Sequence, residues 1–185
     1  IYDAAFKQSG VLRAKTVGEA FDWAQAFSNM PQPDGDNTVI ITNGGGVGVM
    51  ATDACEENDL NLYDNQEELD KFYNHMPEYG SAKNPVDLTG MATTDEYEGS
   101  LREALRNDEY DSIVVLYCQT AQSDPKAIAN TIADVYEEED AEKPVTVSMV
   151  GGPEVGEAVE VLKEREIPGY EEPEQAVEAL AAMYN

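Results

Sequence analysis

Apolar positions along this chain switch between a helical and an extended period, and the switches divide it into elements. Val17, Ala20, Phe21, Ala24 and Phe27 recur at three- and four-residue spacing behind Thr16, which predicts a helix capped by Thr16 and running to about Phe27, with that stripe as its buried face. A short helix is expected before it, at Tyr2–Gln8, and a brief strand at Val11–Ala14. Pro31-Gln-Pro-Asp-Gly-Asp36 has turn chemistry and predicts a linker, so residues 1–33 are expected to form a helical lead-in and 34–185 the main body. There, strand 38–42 is followed by helix 47–57, a weak strand at Leu60–Tyr63 and a helix at about Gln66–His75. Pro77–Met91 has no strong period and is long enough to be a functional loop.

Helix Thr94–Arg106 then precedes Ser112-Ile-Val-Val-Leu-Tyr117, an unbroken apolar run that suits a parallel strand covered on both faces. Helix 125–137, strand Val145–Val150, helix 154–165, an edge strand at Ile167–Tyr170 and a closing helix from Pro173 complete the series. The alternation predicts an α/β fold: a parallel sheet with right-handed crossovers and helices on both faces, whose ligands bind beyond the carboxyl ends of the strands.

Two glycine corners fall at those ends. Thr38-Val-Ile-Ile-Thr-Asn43 runs into Gly44, Gly45, Gly46, Val47 and Gly48, and Val150-Gly151-Gly152-Pro-Glu154 repeats the arrangement. A strand-to-helix turn without Cβ atoms lets backbone N–H groups approach an anion at the positive end of a helix. Two such corners suggest one anionic site between two turns.

Composition narrows the setting. At 185 residues and 42% hydrophobic, the chain can bury one sizeable core, and one domain is expected. Against 38 acidic residues stand 11 Lys and Arg, a formal net charge of -27, which excludes nucleic acid and anionic membranes as partners and reads as a solvated surface adapted to high salt, as in a halophile; a basic protein partner is the competing explanation. Cys55 and Cys118 read as free thiols rather than a disulfide, and no run of about 18 apolar residues occurs, so a cytoplasmic protein is expected. The first residue is Ile1 and not Met, so the chain is expected to be part of something longer.

At this point the blocks Ala5-Phe-Lys-Gln-Ser-Gly-Val-Leu12, Ile41-Thr-Asn-Gly-Gly-Gly-Val-Gly-Val-Met-Ala-Thr-Asp53, Asn84-Pro-Val-Asp87 with Gly90, and Gly151-Gly152, with a closing Ile-Pro-x-Tyr and Pro-Glu-Gln-Ala-Val, carry a resemblance. In order and spacing they resemble the ligase domain of ADP-forming acyl-CoA (acetate–CoA) synthetases. The resemblance implies a flavodoxin-like fold, similar to the carboxy-terminal domain of the succinyl-CoA synthetase β-chain. It also implies conversion of acyl-CoA, ADP and phosphate into acid, CoA and ATP through an acyl phosphate and a phosphohistidine. By the same resemblance Asn43, Gly44, Gly45, Gly46, Val47 and Gly48 face the phosphohistidine, and Asn84, Pro85, Asp87 and Gly90 line the acyl substrate, with Gln119 helping to shape its pocket.

No catalytic residue falls in this chain by that reading. The family's histidine belongs to another domain, and His75, the only histidine here, ends an ordinary helix, where it suits the helix C-terminus. ATP-grasp and CoA-binding/phosphohistidine domains are implied as partners, fused or separate, within an oligomer. No cofactor or metal is expected on this chain alone, while CoA, ADP or ATP and Mg belong to the complete enzyme.

Two other readings compete. Gly46-Val-Gly-Val-Met-Ala51 fits a dinucleotide-binding turn with Asp64 as its ribose acid, and the glycines could serve only close packing in a non-catalytic regulatory module. Asp53 either assists the site or faces solvent. Glu137-Glu-Glu-Asp140 reads as a solvated corner, and Trp23, on the polar side of its helix, as a contact with a missing domain.

Overall fold

The computed structural model describes Phe6, Ser9 and residues 11–184; the helix expected at Tyr2–Gln8 lies, Phe6 apart, outside the described residues. The first strand, β1 (Asn37–Thr42), ends at the first glycine corner and leads into α2 (Gly45–Glu57), after a preceding helix α1 (Val17–Asn29). Then come β2 (Asn61–Leu62), the single turn α3 (Gln66–Leu69) with a 3-10 extension Asp70–His75, β3 (Val86–Asp87) and α4 (Thr94–Arg106). The remaining elements are β4 (Ser112–Cys118), α5 (Pro125–Glu138), β5 (Val145–Val150), α6 (Pro153–Glu164), β6 (Gly169–Tyr170) and α7 (Pro173–Met183).

Every ladder between these strands is parallel, in the order β2-β1-β4-β5-β6, with β3 also on β1. This is the flavodoxin-like order, with its reversal between β1 and β4. The central strands are buried along almost their whole length, as their continuous apolar runs require when helices cover both faces. On one face α7 touches both α1 and α2; on the other, α4, α5 and α6 pack in succession.

β3 was not foreseen. It has two residues inside the stretch expected to be a loop, and it shares an edge of β1 with β2: β2 pairs at Asn37–Thr38 and β3 at Ile41–Thr42. Asn84 fills the gap between them. Its Oδ1 accepts from the Ile40 N–H at 3.0 Å, while its Nδ2 donates to the Thr38 carbonyl at 2.8 Å and to the Tyr63 carbonyl at 3.0 Å, so a side chain completes the strand edge between the two short ladders.

α1 is turned over relative to the sequence reading. Thr16 caps the helix as expected, in a capping box with Glu19, but Val17, Ala20, Phe21, Ala24 and Phe27 lie exposed. The inward face carries Asp22, Trp23, Ala26 and Met30: Tyr170 Oη donates to the Asp22 carbonyl at 2.8 Å, Gln175 Nε2 to Asp22 Oδ2 at 3.0 Å, and the Val145 N–H to Met30 Sδ at 3.3 Å. Ala26 is wholly buried and Trp23 packs on the core, so the tryptophan faces this body. These polar pins and the small Ala26 admit a close approach to α7 that the bulkier Phe stripe would not. Residues 11–14, expected as a strand, form none.

Candidate functional site

The site is assembled at the carboxyl end of β1, where the strand order reverses and a crevice opens. Asn43, almost fully buried, holds that crevice: its Oδ1 accepts from the Cys118 N–H at 2.7 Å and its Nδ2 donates to the Cys118 carbonyl at 2.9 Å. The amide extends the β1–β4 ladder one residue past its end. Thr42 Oγ1 lies 3.1 Å from both the N–H and the carbonyl of Gly44 and closes the turn.

The glycines that follow divide into two kinds. A Cβ on Gly44 would stand 3.1 Å from Cys118 Cβ, and one on Gly48 would stand 3.3 Å from Thr42 Cγ2, so these two permit close packing of α2 on the sheet. Gly45 and Gly46 are exposed; a Cβ on Gly46 would meet nothing within 4 Å. Packing therefore does not ask for glycine there, and open backbone does. No side chain caps α2, and its first backbone bond runs from the Gly48 N–H to the Gly44 carbonyl at 3.0 Å. The amides of Gly45, Gly46 and Val47 precede that bond and have no carbonyl within the helix to serve, at the end where the dipole is positive.

Asp87 stands beside this turn. Its Oδ1 accepts from the Thr89 N–H at 2.8 Å, and its Oδ2 would lie 3.5 Å from a Cβ on Gly45. Pro85, Asp87, Asp53, Gly45 and Gly48 line one cavity of about 270 Å³, so Asp53 faces it. Gly90 lies past the end of β4, where a Cβ would stand 3.7 Å from Thr120 Cγ2. Pro85 and Asp87 thus stand at the corner, Gly90 sits beside Thr120, and the Asn84 side chain is spent in the sheet edge.

The second corner is built differently. Gln119 Oε1 accepts the Gly152 N–H at 2.8 Å, and Gln119 Nε2 donates to Glu154 Oε2 at 2.7 Å. A Cβ on Gly151 would stand 2.6 Å from Gln119 Cβ. At the second corner, therefore, the chain's own side chain occupies the Gly152 amide and crowds Gly151, whereas no side chain reaches the first turn of α2. Sequence order gives no sign of this, because Gln119 and Gly152 meet only through the β4–β5 pairing.

Other titratable groups lie apart. His75 Nε2 is 3.7 Å from Glu103 Oε2, and the ring covers Gly99 of α4. Burial pushes the Cys55 thiol up to about 12, so it is inert at neutral pH. Among the described residues no group of three His, Cys, Asp or Glu could hold a metal ion, and no helix is long and apolar enough to cross a membrane. Asp64, the acid a dinucleotide turn would need, follows Tyr63, whose N–H bonds the Thr38 carbonyl near the start of β1; beside the end of β1 the neighbour is β3.

Comparison with known proteins shows the family and the fold. The family model described as Ligase-CoA domain matches residues 38–185. The alpha subunit of acetate–CoA ligase (ADP-forming) I from Pyrococcus furiosus is 61% identical over 184 residues, which cover 100% of this chain and 40% of that protein. The 4-hydroxybutyrate–CoA ligase (ADP-forming) of Nitrosopumilus maritimus is 32% identical over 99% of this chain and 26% of its own length. The dinucleotide-forming acetyl-coenzyme A synthetase 1 of Ca. Korarchaeum cryptofilum, solved with phosphate and ADP, superposes with a TM-score of 0.94 at 46% identity, covering 99% of this chain and 40% of that one. The chain thus spans well under half the length of these relatives.

Proposed function

We propose, for a chain that belongs to the Ligase-CoA domain family, that it is the ligase-domain wall of an ADP-forming acyl-CoA synthetase active site, acetyl-CoA being the expected substrate. The complete enzyme would convert acyl-CoA, ADP and phosphate into acid, CoA and ATP, with the phosphohistidine, CoA-binding and ATP-grasp parts on other domains, fused or separate, of an oligomeric enzyme. The observation that carries this reading is the uncapped first turn of α2 with exposed Gly45 and Gly46.

In that role the chain's residues do three things. The amides of Gly45, Gly46 and Val47 receive the phosphoryl oxygens of the histidine-borne group and stabilise its charge without moving a proton. Asn43 and Thr42 keep the turn in place, so no reorganisation accompanies transfer. Pro85, Asp87 and Gly90 shape the adjoining wall toward the acyl group. CoA, nucleotide and Mg belong to the other parts; the donor set here suits a phosphoryl group, with acids too dispersed to hold a metal. A cytoplasmic, salt-adapted protein fits the charge of -27.

The test is ATP formation by the full-length parent in molar KCl, dependent on acetyl-CoA, ADP and phosphate, compared with Gly45→Glu. A Cβ at Gly45 makes only ordinary contact, so the variant folds, but its carboxylate stands where phosphate must dock. Activity is expected to fall at least a hundredfold. Normal turnover by the variant would remove the corner from the mechanism.

A further inference from the structure

α1 carries apolar residues on two faces, and α7 covers one. On the other, Val17, Phe21 and Phe27 are 74%, 71% and 45% exposed, with Ala20 and Ala24 exposed between them. Single exposed apolar side chains are ordinary, but a continuous helical stripe marks a contact. The stripe is also shaped: Val17, Ala20, Phe21 and Ala24 line a shallow groove of about 500 Å³ with Lys15 at its end. Charge sets it apart from the rest of the chain. The first 18 residues hold three of the eleven cations, Lys7, Arg13 and Lys15, against one acid, Asp3, in a chain of net charge -27.

We propose that this face of α1 is the docking surface for another part of the same longer polypeptide, one that presents an apolar patch rimmed by carboxylates. Two observations select this occupant. The relatives that match the whole chain extend well beyond it, since it covers 40% of the P. furiosus subunit and 40% of the K. cryptofilum chain, so a tethered domain is at hand at high effective concentration. Arg13 and Lys15, just before the helix, are complementary at contact range to an acidic rim, whereas a second copy pairing through this face would present the same cations. The inference is independent of the proposed chemistry: it rests on the exposure of α1 and the length of the relatives, and holds whatever the glycine corner binds.

The experiment is thiol labelling of the full-length parent in molar KCl with N-ethylmaleimide, in a background where Cys118 and any cysteine outside these 185 residues are replaced by Ala and buried Cys55 is kept, the labelled site being read by peptide mass spectrometry. Phe21→Cys is compared with Glu160→Cys, whose native side chain on α6 is 68% exposed. Labelling of Phe21→Cys at least tenfold slower than the control, unchanged on dilution to nanomolar protein, is the expected result. Val17→Cys, one turn earlier on the same stripe, provides a second reporter. Labelling of both at the control rate would overturn the proposal, and protection that vanishes on dilution would overturn it in favour of a second copy.

Discussion

Replacing Asn84 by Ala should destabilise the fold strongly, and the cost can be worked from its three hydrogen bonds. Without the side chain the Ile40 N–H, on a fully buried residue of β1, has no acceptor, which costs about 1–3 kcal/mol. The Thr38 carbonyl keeps one partner, the Tyr63 N–H at 3.0 Å, so its loss is the smaller one, about 0.5–1 kcal/mol, and the Tyr63 carbonyl adds about 1 kcal/mol. The sum, about 2.5–5 kcal/mol, is a large share of the roughly 5–15 kcal/mol that a domain has in total. Urea unfolding of the 185-residue chain in molar KCl, followed by circular dichroism, reads it directly. With m of about 2 kcal/mol/M the midpoint should fall by about 1.2–2.5 M. Asn84→Asp should not rescue it, because a second carboxylate oxygen would face two carbonyls where an amide had donated. A midpoint within about 0.3 M of the parent's, by the same linear extrapolation, would refute the reasoning and return Asn84 to the substrate wall.

The glycines separate under the same assay. Gly46→Ala, with open space at its Cβ, should be neutral or stabilise α2 by up to about 1 kcal/mol, whereas Gly44→Ala, 3.1 Å from Cys118 Cβ, should cost about 1–3 kcal/mol; equal effects would contradict the two kinds of glycine. Glu139, at the C-terminus of α5, meets Arg106 Nε at 2.7 Å and Arg102 Nη1 at 2.5 Å, and these guanidiniums, Arg106 first, hold its carboxyl below its ordinary value of 4.5. A depressed carboxyl stabilises the fold fully above the unfolded value and ceases to do so as pH falls through the folded one. The stability gap of about 1 kcal/mol between the chain and Glu139→Gln should therefore be constant above about pH 5 and close on acidification, which thermal melts from pH 3 to 7 would check. With a net charge of -27, the melting temperature should rise by several degrees as KCl goes from about 0.1 M to 1 M and the Debye length falls from about 10 Å to 3 Å; a flat profile would contradict self-repulsion as the surface's main cost.

The sequence by itself determined the α/β alternation, the parallel core and the place of the glycine corners, because these follow from the period of apolar residues and from turns that only glycine allows. The run Ser112–Tyr117 could hardly be anything but a central strand, and strand β1 could end only where Gly44 begins. What tertiary structure decided was the partner of each ambiguous group. α1 has two apolar stripes of comparable weight, and which one turned inward was settled by Asp22, Ala26 and Met30 meeting α7, β5 and β6, elements more than 100 residues away in sequence. Asn43 and Asn84 look alike as polar residues near turns, yet both spend their amides on backbone from distant strands. The two glycine corners have similar local sequences, and only the pairing of β4 with β5 brings the Gln119 amide onto the Gly152 N–H of one of them. Periodicity is a local property of the chain, whereas the satisfaction of buried polar groups depends on which segments the sheet brings side by side.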